Sequence, residues 1–141
     1  MAADEVCLPC SKASLGFIAK ASSEAESSYS GTTNFQQKLR LTTPSLETGN
    51  YKIIFYYEWQ GCDKDLKGHK GQIQINDTDT IHERSGNPDN MGSNNDWDMA
   101  SGHYNADNIS GVKNIDIDYG TQNAAETVKI RRARLEIWRV A

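Results

Sequence analysis

The chain has 141 residues, enough for one domain that buries a core without help from metals or disulfides. Nineteen acidic against fifteen basic residues leave a formal charge of -4, which argues against whole-molecule attraction to phosphate backbones or anionic membranes. A nucleic-acid role would need a local basic patch, and the one candidate is the closing stretch KIRRARLEIWRVA, Lys129 to Ala141.

The start, MAADEVCLPCSKASLGFIAK, has acids where a signal peptide needs positive charge, and its apolar runs are too short for a signal core or a membrane span. The expectation is synthesis in a host cytoplasm without export by a signal peptide. Residues 1–14 read as an N-terminal arm carrying Cys7-Leu8-Pro9-Cys10, and 15–141 as the folded domain. From Leu15 onward, apolar and polar residues alternate with the period of strands. The first apolar segment is Leu15 to Ala21. Phe35 to Leu41 puts Phe35, Leu39 and Leu41 on one face and Lys38 and Arg40 on the other, after which Pro44 and Gly49-Asn50 punctuate a connection.

YKIIFYYEW, Tyr51 to Trp59, is the strongest strand, apolar enough on both faces for a central position. Gly71 to Ile75 and the polar Thr78 to Arg84 read as a hairpin turning at Asn76-Asp77. SGNPDNMGSNN, from Ser85 to Asn95, is a surface loop of turn formers. Trp97, Met99 and Ser101 begin another strand that ends before the polar stretch from Asn105 to Gly111, and Val112 to Tyr119 alternates with Ile115, Ile117 and Tyr119 on one side.

The closing stretch is tested by period. As a helix it would leave Leu135 among the arginines. As a strand, Ala133, Leu135 and Ile137 face in, but Val128 and Ile130 have the opposite parity. A β-bulge near Arg131-Arg132 reconciles the halves, because one extra residue inverts the alternation. About eight strands without a crossover helix predict an all-β fold: a two-sheet antiparallel β-sandwich of jelly-roll type, with an immunoglobulin-like sandwich as the near alternative.

The candidate chemistry is sparse. Cys7 and Cys10 have the spacing of a redox dithiol or half a zinc site but lack either context, and Cys62 with His69 does not complete a standard zinc spacing. The sharper expectation is that Cys7, Cys10 and Cys62 cross-link subunits after exposure to an oxidising medium. Four Asp-x-Asp pairs match no calcium-loop pattern, and Asp116 and Asp118 are expected to pair across strands with Lys129, Arg131 or Arg134. No metal or other cofactor is expected. His69, His82 and His103 come with no nucleophile signature, so an enzyme is not expected. Trp138 and the Tyr51 to Trp59 aromatics are expected to pack inside, whereas Trp97 and Tyr104, with Trp59 nearby, could stack on a ligand.

QKLRLTTPSLETGNYKIIFYYEW, GVKNIDIDYG and RRARLEIWRV together resemble small proteins encoded among tailed-phage and prophage structural genes, over Gln36 to Val140. The resemblance implies a jelly-roll module that decorates or cements a phage capsid, located in the virion. Its partners would be capsid subunits and its own copies, as a homo-oligomer such as a trimer, with no nucleic acid and no membrane. Separately from that resemblance, Leu8 and Pro9 would form the docking arm. The alternatives are a carbohydrate-binding module of the same fold and, after it, a small hydrolase.

Overall fold

The computed structural model describes residues 15–60, 68–86 and 97–141. Cys7, Leu8, Pro9, Cys10 and Cys62 lie outside the described residues, so the cross-linking and docking-arm expectations are not addressed by the fold.

Nine strands and no helix occur among the described residues: β1 (Gly16–Ser23), β2 (Ser27–Tyr29), β3 (Gln36–Thr42), β4 (Leu46–Gln60), β5 (His69–Ile75), β6 (Asp79–Gly86), β7 (Asp98–Gly111), β8 (Asn114–Thr121) and β9 (Val128–Arg139). They form two antiparallel sheets. One runs β1-β9-β4-β7, with β2 also paired to β9, and the other runs β3-β8-β5-β6. The expected all-β sandwich is therefore present. Its core is built by alternation: Tyr51, Ile53, Phe55, Tyr57 and Trp59 from β4 meet Ile73 and Ile75 from β5 and Ile115, Ile117 and Tyr119 from β8. Each such side chain contributes about 1.5–3 kcal/mol when fully buried.

β9 is a strand with the expected break. Tyr56 pairs with Arg134 but Glu58 with Arg131, so β9 holds one residue more than β4 between those points. The extra turn falls on Arg132, at φ 52°, and its N–H is taken by the Glu24 carbonyl at 3.2 Å. Val128 and Ile130 before the bulge, and Ala133, Leu135 and Ile137 after it, are all fully buried. The β5–β6 hairpin also forms, with Asn76 at φ 54° and Asp77 at φ 63° in a three-residue turn that takes in Thr78, so β6 begins at Asp79.

Several expectations are corrected. Phe35 does not share a face with Leu39 and Leu41: a register shift between Gln37 and Leu39 inverts the parity, and Phe35 instead lies under the Lys70 ammonium, 4.3 Å from its ring centre. Gly49-Asn50 is not a connection but the irregular beginning of β4, with register shifts on both sides of Gly49. β7 does not stop before Asn105; as an edge strand laid along β4 it can leave polar side chains in water, so it runs on to Gly111. Trp138 is not interior: it packs edge-on against Phe17 at 5.4 Å and is 36% exposed. Asp116 and Asp118 do not meet the β9 cations, because β8 and β9 belong to different sheets. Asp116 takes a two-pronged ion pair from Arg40 at 2.6 and 2.5 Å, and Asp118 accepts from Gln72 at 3.1 Å.

Candidate functional site

Two regions concentrate chemistry. The first lies between the sheets, on the side bounded by β6 and β7 and toward the end where β4 finishes and β5 begins. In β6, His82 pairs with Ile73 and Arg84 with Gly71, both on core-facing positions of β5, so an edge strand sends two basic side chains inward. His82 packs on Phe55 at 4.6 Å, and its Nε2 is 3.1 Å from the Tyr57 hydroxyl. Arg84 lays its guanidinium over the Trp59 ring, 3.3 Å from the centroid. Behind Trp59 stands His69, its ring 5.3 Å away and its side chain fully buried.

This region is rich in polar nitrogen and poor in partners. Trp59 Nε1, both ring nitrogens of His69 and Arg84 Nη1 are buried and have no hydrogen-bond partner among the described residues. Burial, with the Arg84 charge adding to it, lowers the His69 imidazole to about 3, so the ring is neutral. Burial and Arg84 also lower His82. Burial lowers Arg84 itself, although Tyr57 and Asp98 act in the other direction. The Asp98 carboxylate accepts its neighbour Met99's N–H at 2.8 Å, and no ion pair to Arg84 forms among the described residues. The result is a half-buried cation among hydrogen-bonding groups, with the Asp98 carboxylate near enough to act on it.

The second region is the outer face of the five-stranded sheet. Pairing sets its rows: Phe17, Trp138 and Lys52; then Lys20, Glu136, Ile54 and His103; then Ser22, Arg134, Tyr56 and Ser101; then Arg131, Glu58 and Met99. Glu58 gathers the last rows together, bonded by Arg131 at 2.6 Å, Tyr56 at 2.6 Å and Arg132 at 3.2 Å. Trp97 lies against Arg131, 4.0 Å from its guanidinium carbon. Arg134 is held by Glu24 at 2.8 and 3.0 Å. Phe17, Ile54, Met99 and Trp138 remain exposed among these charges.

Trp97 and Tyr104 are not brought together. Tyr104 pairs with core-facing Ile53, whereas Trp97 is on the side of outward-facing Met99, so the two rings flank opposite faces of β7. Trp59 joins neither: it is 2% exposed, beneath Arg84. The inward Arg84 is not visible in the sequence, where Thr78 to Arg84 reads as a polar edge strand. A register shift beside Ile73 lets His82 and Arg84 take the inner positions instead. Only the unusual pair of basic residues spaced by two, next to an isoleucine, hinted at it.

No known protein family and no curated protein matches the sequence. Among solved structures, the chain is similar to the EclA C-terminal domain, a sugar-binding protein, with a TM-score of 0.52 and 13% identity over 82% of this chain and 78% of that one. It is similar, again at TM-score 0.52, to a chain of infectious bursal disease virus, Gx strain, at 9% identity over 87% of its own length but 32% of the viral chain. A further likeness, TM-score 0.52 and 11% identity, is to latent PorU from Porphyromonas gingivalis, of which it spans 13%. These likenesses establish the fold as a jelly-roll-like β-sandwich, an architecture used for both structural and binding roles.

Proposed function

We propose that the chain is a non-catalytic structural module of a virion, decorating or cementing a phage capsid and stabilising it by protein–protein contacts. The observation that carries this reading is the outer face of the five-stranded sheet, where Phe17, Ile54, Met99 and Trp138 stand exposed between arginines. Aromatic residues, methionine and arginine are the types enriched at protein interfaces, and a broad sheet face offers them on a rigid support. The jelly-roll-like fold, shared with the bursal disease virus chain, is compatible with assembly into a shell. On this reading the partners are capsid subunits and copies of the same chain, the protein is made in the host cytoplasm and ends in the virion, and Cys7, Cys10 and Cys62 cross-link subunits after lysis.

The test is sedimentation of the purified chain, alone and mixed with assembled particles, beside an Ile54→Glu/Trp138→Glu variant. A discrete oligomer that co-sediments with particles, and loses that property in the variant, supports the proposal. A persistent monomer with no affinity for particles overturns it.

One observation favours a second reading, a carbohydrate-binding module: Tyr104 stands 39% exposed on edge strand β7, in a fold whose match extends over 78% of a sugar-binding domain. Retention on a broad glycan array, lost in Tyr104→Ala or Trp97→Ala, would establish it. An array without signal removes it.

A further inference from the structure

We infer that the concavity on the outer side of the four-stranded sheet, between Phe35 and residues 83–85 of β6, is a binding site for one uncharged sugar ring. The inference deepens the carbohydrate-binding reading and rests on it, but it moves the sugar away from Tyr104 and Trp97. It also lies on the sheet opposite the proposed capsid-facing surface, so one chain has room for both roles.

The cavity holds about 420 Å³ and is lined by Phe35, Lys70, Glu83, Arg84, Ser85 and Gln122. That volume falls within the range of about 300–1,000 Å³ usual for small-molecule sites. Strand register builds its floor: Lys70 lies opposite Ser85 and Glu83 opposite Gln72, on the outward positions of β5 and β6. Its wall is fixed by Lys70, whose ammonium bonds the Thr33 carbonyl and stands 4.3 Å from the Phe35 ring centre. A Cβ at Gly120 would lie 2.9 Å from the Asn34 carbonyl oxygen and 3.1 Å from Lys70 Cε. The glycine therefore lets the segment before β3 settle against β8 and carry Phe35 to the rim. Across from it, Gln122 is set in place by its N–H, which donates to the Gly68 carbonyl at 3.0 Å. Groups held in this way need little further ordering when a ligand arrives.

The chemistry of the lining selects the ligand. Lys70 donates, the Glu83 carboxylate accepts, and the Ser85 hydroxyl and Gln122 carboxamide do both. Among the described residues, no hydrogen bond or ion pair engages the side chains of Glu83, Ser85 or Gln122. Phe35 is 36% exposed and adds apolar surface.

Charge narrows the choice. Lys70 and Glu83 offset one another, while the Arg84 guanidinium is laid on Trp59 with Asp98 acting on its charge. An anion would face Glu83 and a cation would face Lys70. A wholly apolar ligand would cover polar groups without pairing them, at a cost for each. An uncharged molecule with hydroxyls around its rim and an apolar ring face meets every condition, and a pyranose ring is built that way.

The test is calorimetric titration of the full chain with methyl β-glucoside, methyl β-galactoside and methyl α-mannoside. Sorbitol serves as the control, a polyol with similar hydroxyls and no ring. The side-chain amide resonance of Gln122 is followed by NMR in parallel. Saturable binding of at least one glycoside, with movement of that resonance and no binding of sorbitol, is expected. Glu83→Ala should weaken binding at least roughly 10-fold, the scale of a hydrogen bond to a charged group, and Phe35→Leu roughly 2- to 10-fold. Glu83 is exposed on an edge strand, so that variant keeps the fold and the test stands even where Phe35→Leu perturbs it. Tyr104→Ala and Trp97→Ala should leave the affinity unchanged. No saturable binding of any glycoside overturns this inference and the carbohydrate reading together. Binding that is lost in Tyr104→Ala or Trp97→Ala, but kept in Glu83→Ala and Phe35→Leu, overturns this site alone. Sorbitol binding as tightly as the glycosides overturns it as well.

Discussion

Arg131 and Glu58 meet at 2.6 Å on the outer face of the five-stranded sheet, just before β9 gains its extra residue. Burial alone would raise the Glu58 carboxyl, but hydrogen bonds from Tyr56, Arg131 and Arg132 outweigh it and hold the group down at about 2. Glu58→Gln removes the charge that two arginines share. A loss of about 1–2 kcal/mol is expected, below the value for a fully buried charged bond because both arginines are partly exposed. A shift in the urea midpoint at unchanged slope measures it. Because the folded carboxyl is lowered, its stabilisation is complete above the ordinary value of 4.5 and disappears as pH falls toward 2. The variant should lack that part of the acid-side loss, and an identical acid profile in the two proteins would refute the assignment.

Arg132 holds the bulge at φ 52°, a conformation that glycine adopts freely and β-branched residues resist. Arg132→Gly should therefore change stability by less than about 1 kcal/mol, relief of the backbone offsetting its long contacts to Glu58. Arg132→Val should cost about 1–2 kcal/mol more than Arg132→Gly. Thermal unfolding of the pair decides. Equal stabilities would mean that the positive φ does not govern this position.

The bulge was legible because parity within β9 contradicts itself: Ile130 and Leu135 cannot both face a core five residues apart in a regular strand. The same device in β3 passed unnoticed. Phe35 is the one apolar residue next to Gln36 and Gln37 before that shift, and one aromatic at a strand start does not expose a contradiction. The buried face of β4 was legible from five alternating aromatic and branched residues, but the partners of charged groups were not. Asp116 and Arg40 are 76 residues apart, and which cation faces which carboxylate depends on how strands are dealt between sheets. The Arg84 region shows the limit of patterning most clearly. Arg84 reads as solvated on an edge strand, and only the three-dimensional register puts it on Trp59.

His69 is fully buried and neutral, lowered to about 3 by burial with Arg84 adding to it. The unfolded chain would protonate this histidine near its ordinary value of 6.5. The unfolded state therefore binds more protons between those values, and stability must fall as pH drops below 6.5, continuing toward 3. One proton corresponds to a slope of about 1.4 kcal/mol per pH unit once the unfolded histidine is protonated. Urea midpoints from pH 7 to 4 should show this decline in the parent protein and a shallower one in His69→Phe. Parallel declines would show that His69 is not the residue responsible.

Gly71 packs so closely on Tyr57 that a Cβ there would lie 2.7 Å from the hydroxyl oxygen and 3.3 Å from the ring carbon that bears it. The ring cannot swing away, because Tyr57 is fully buried and its hydroxyl is fixed against His82 at 3.1 Å. Gly71→Ala should then cost about 1–3 kcal/mol through overpacking. Tyr57→Phe alone should cost about 1 kcal/mol for the lost hydrogen bond. Together the two changes should cost less than their sum, since removal of the hydroxyl also removes the closest obstruction to the new methyl group. A double-mutant cycle by urea unfolding reads that coupling directly. Strict additivity would mean that the strain of an alanine at Gly71 is relieved elsewhere in β5, and that the Tyr57 hydroxyl does not set the identity of residue 71.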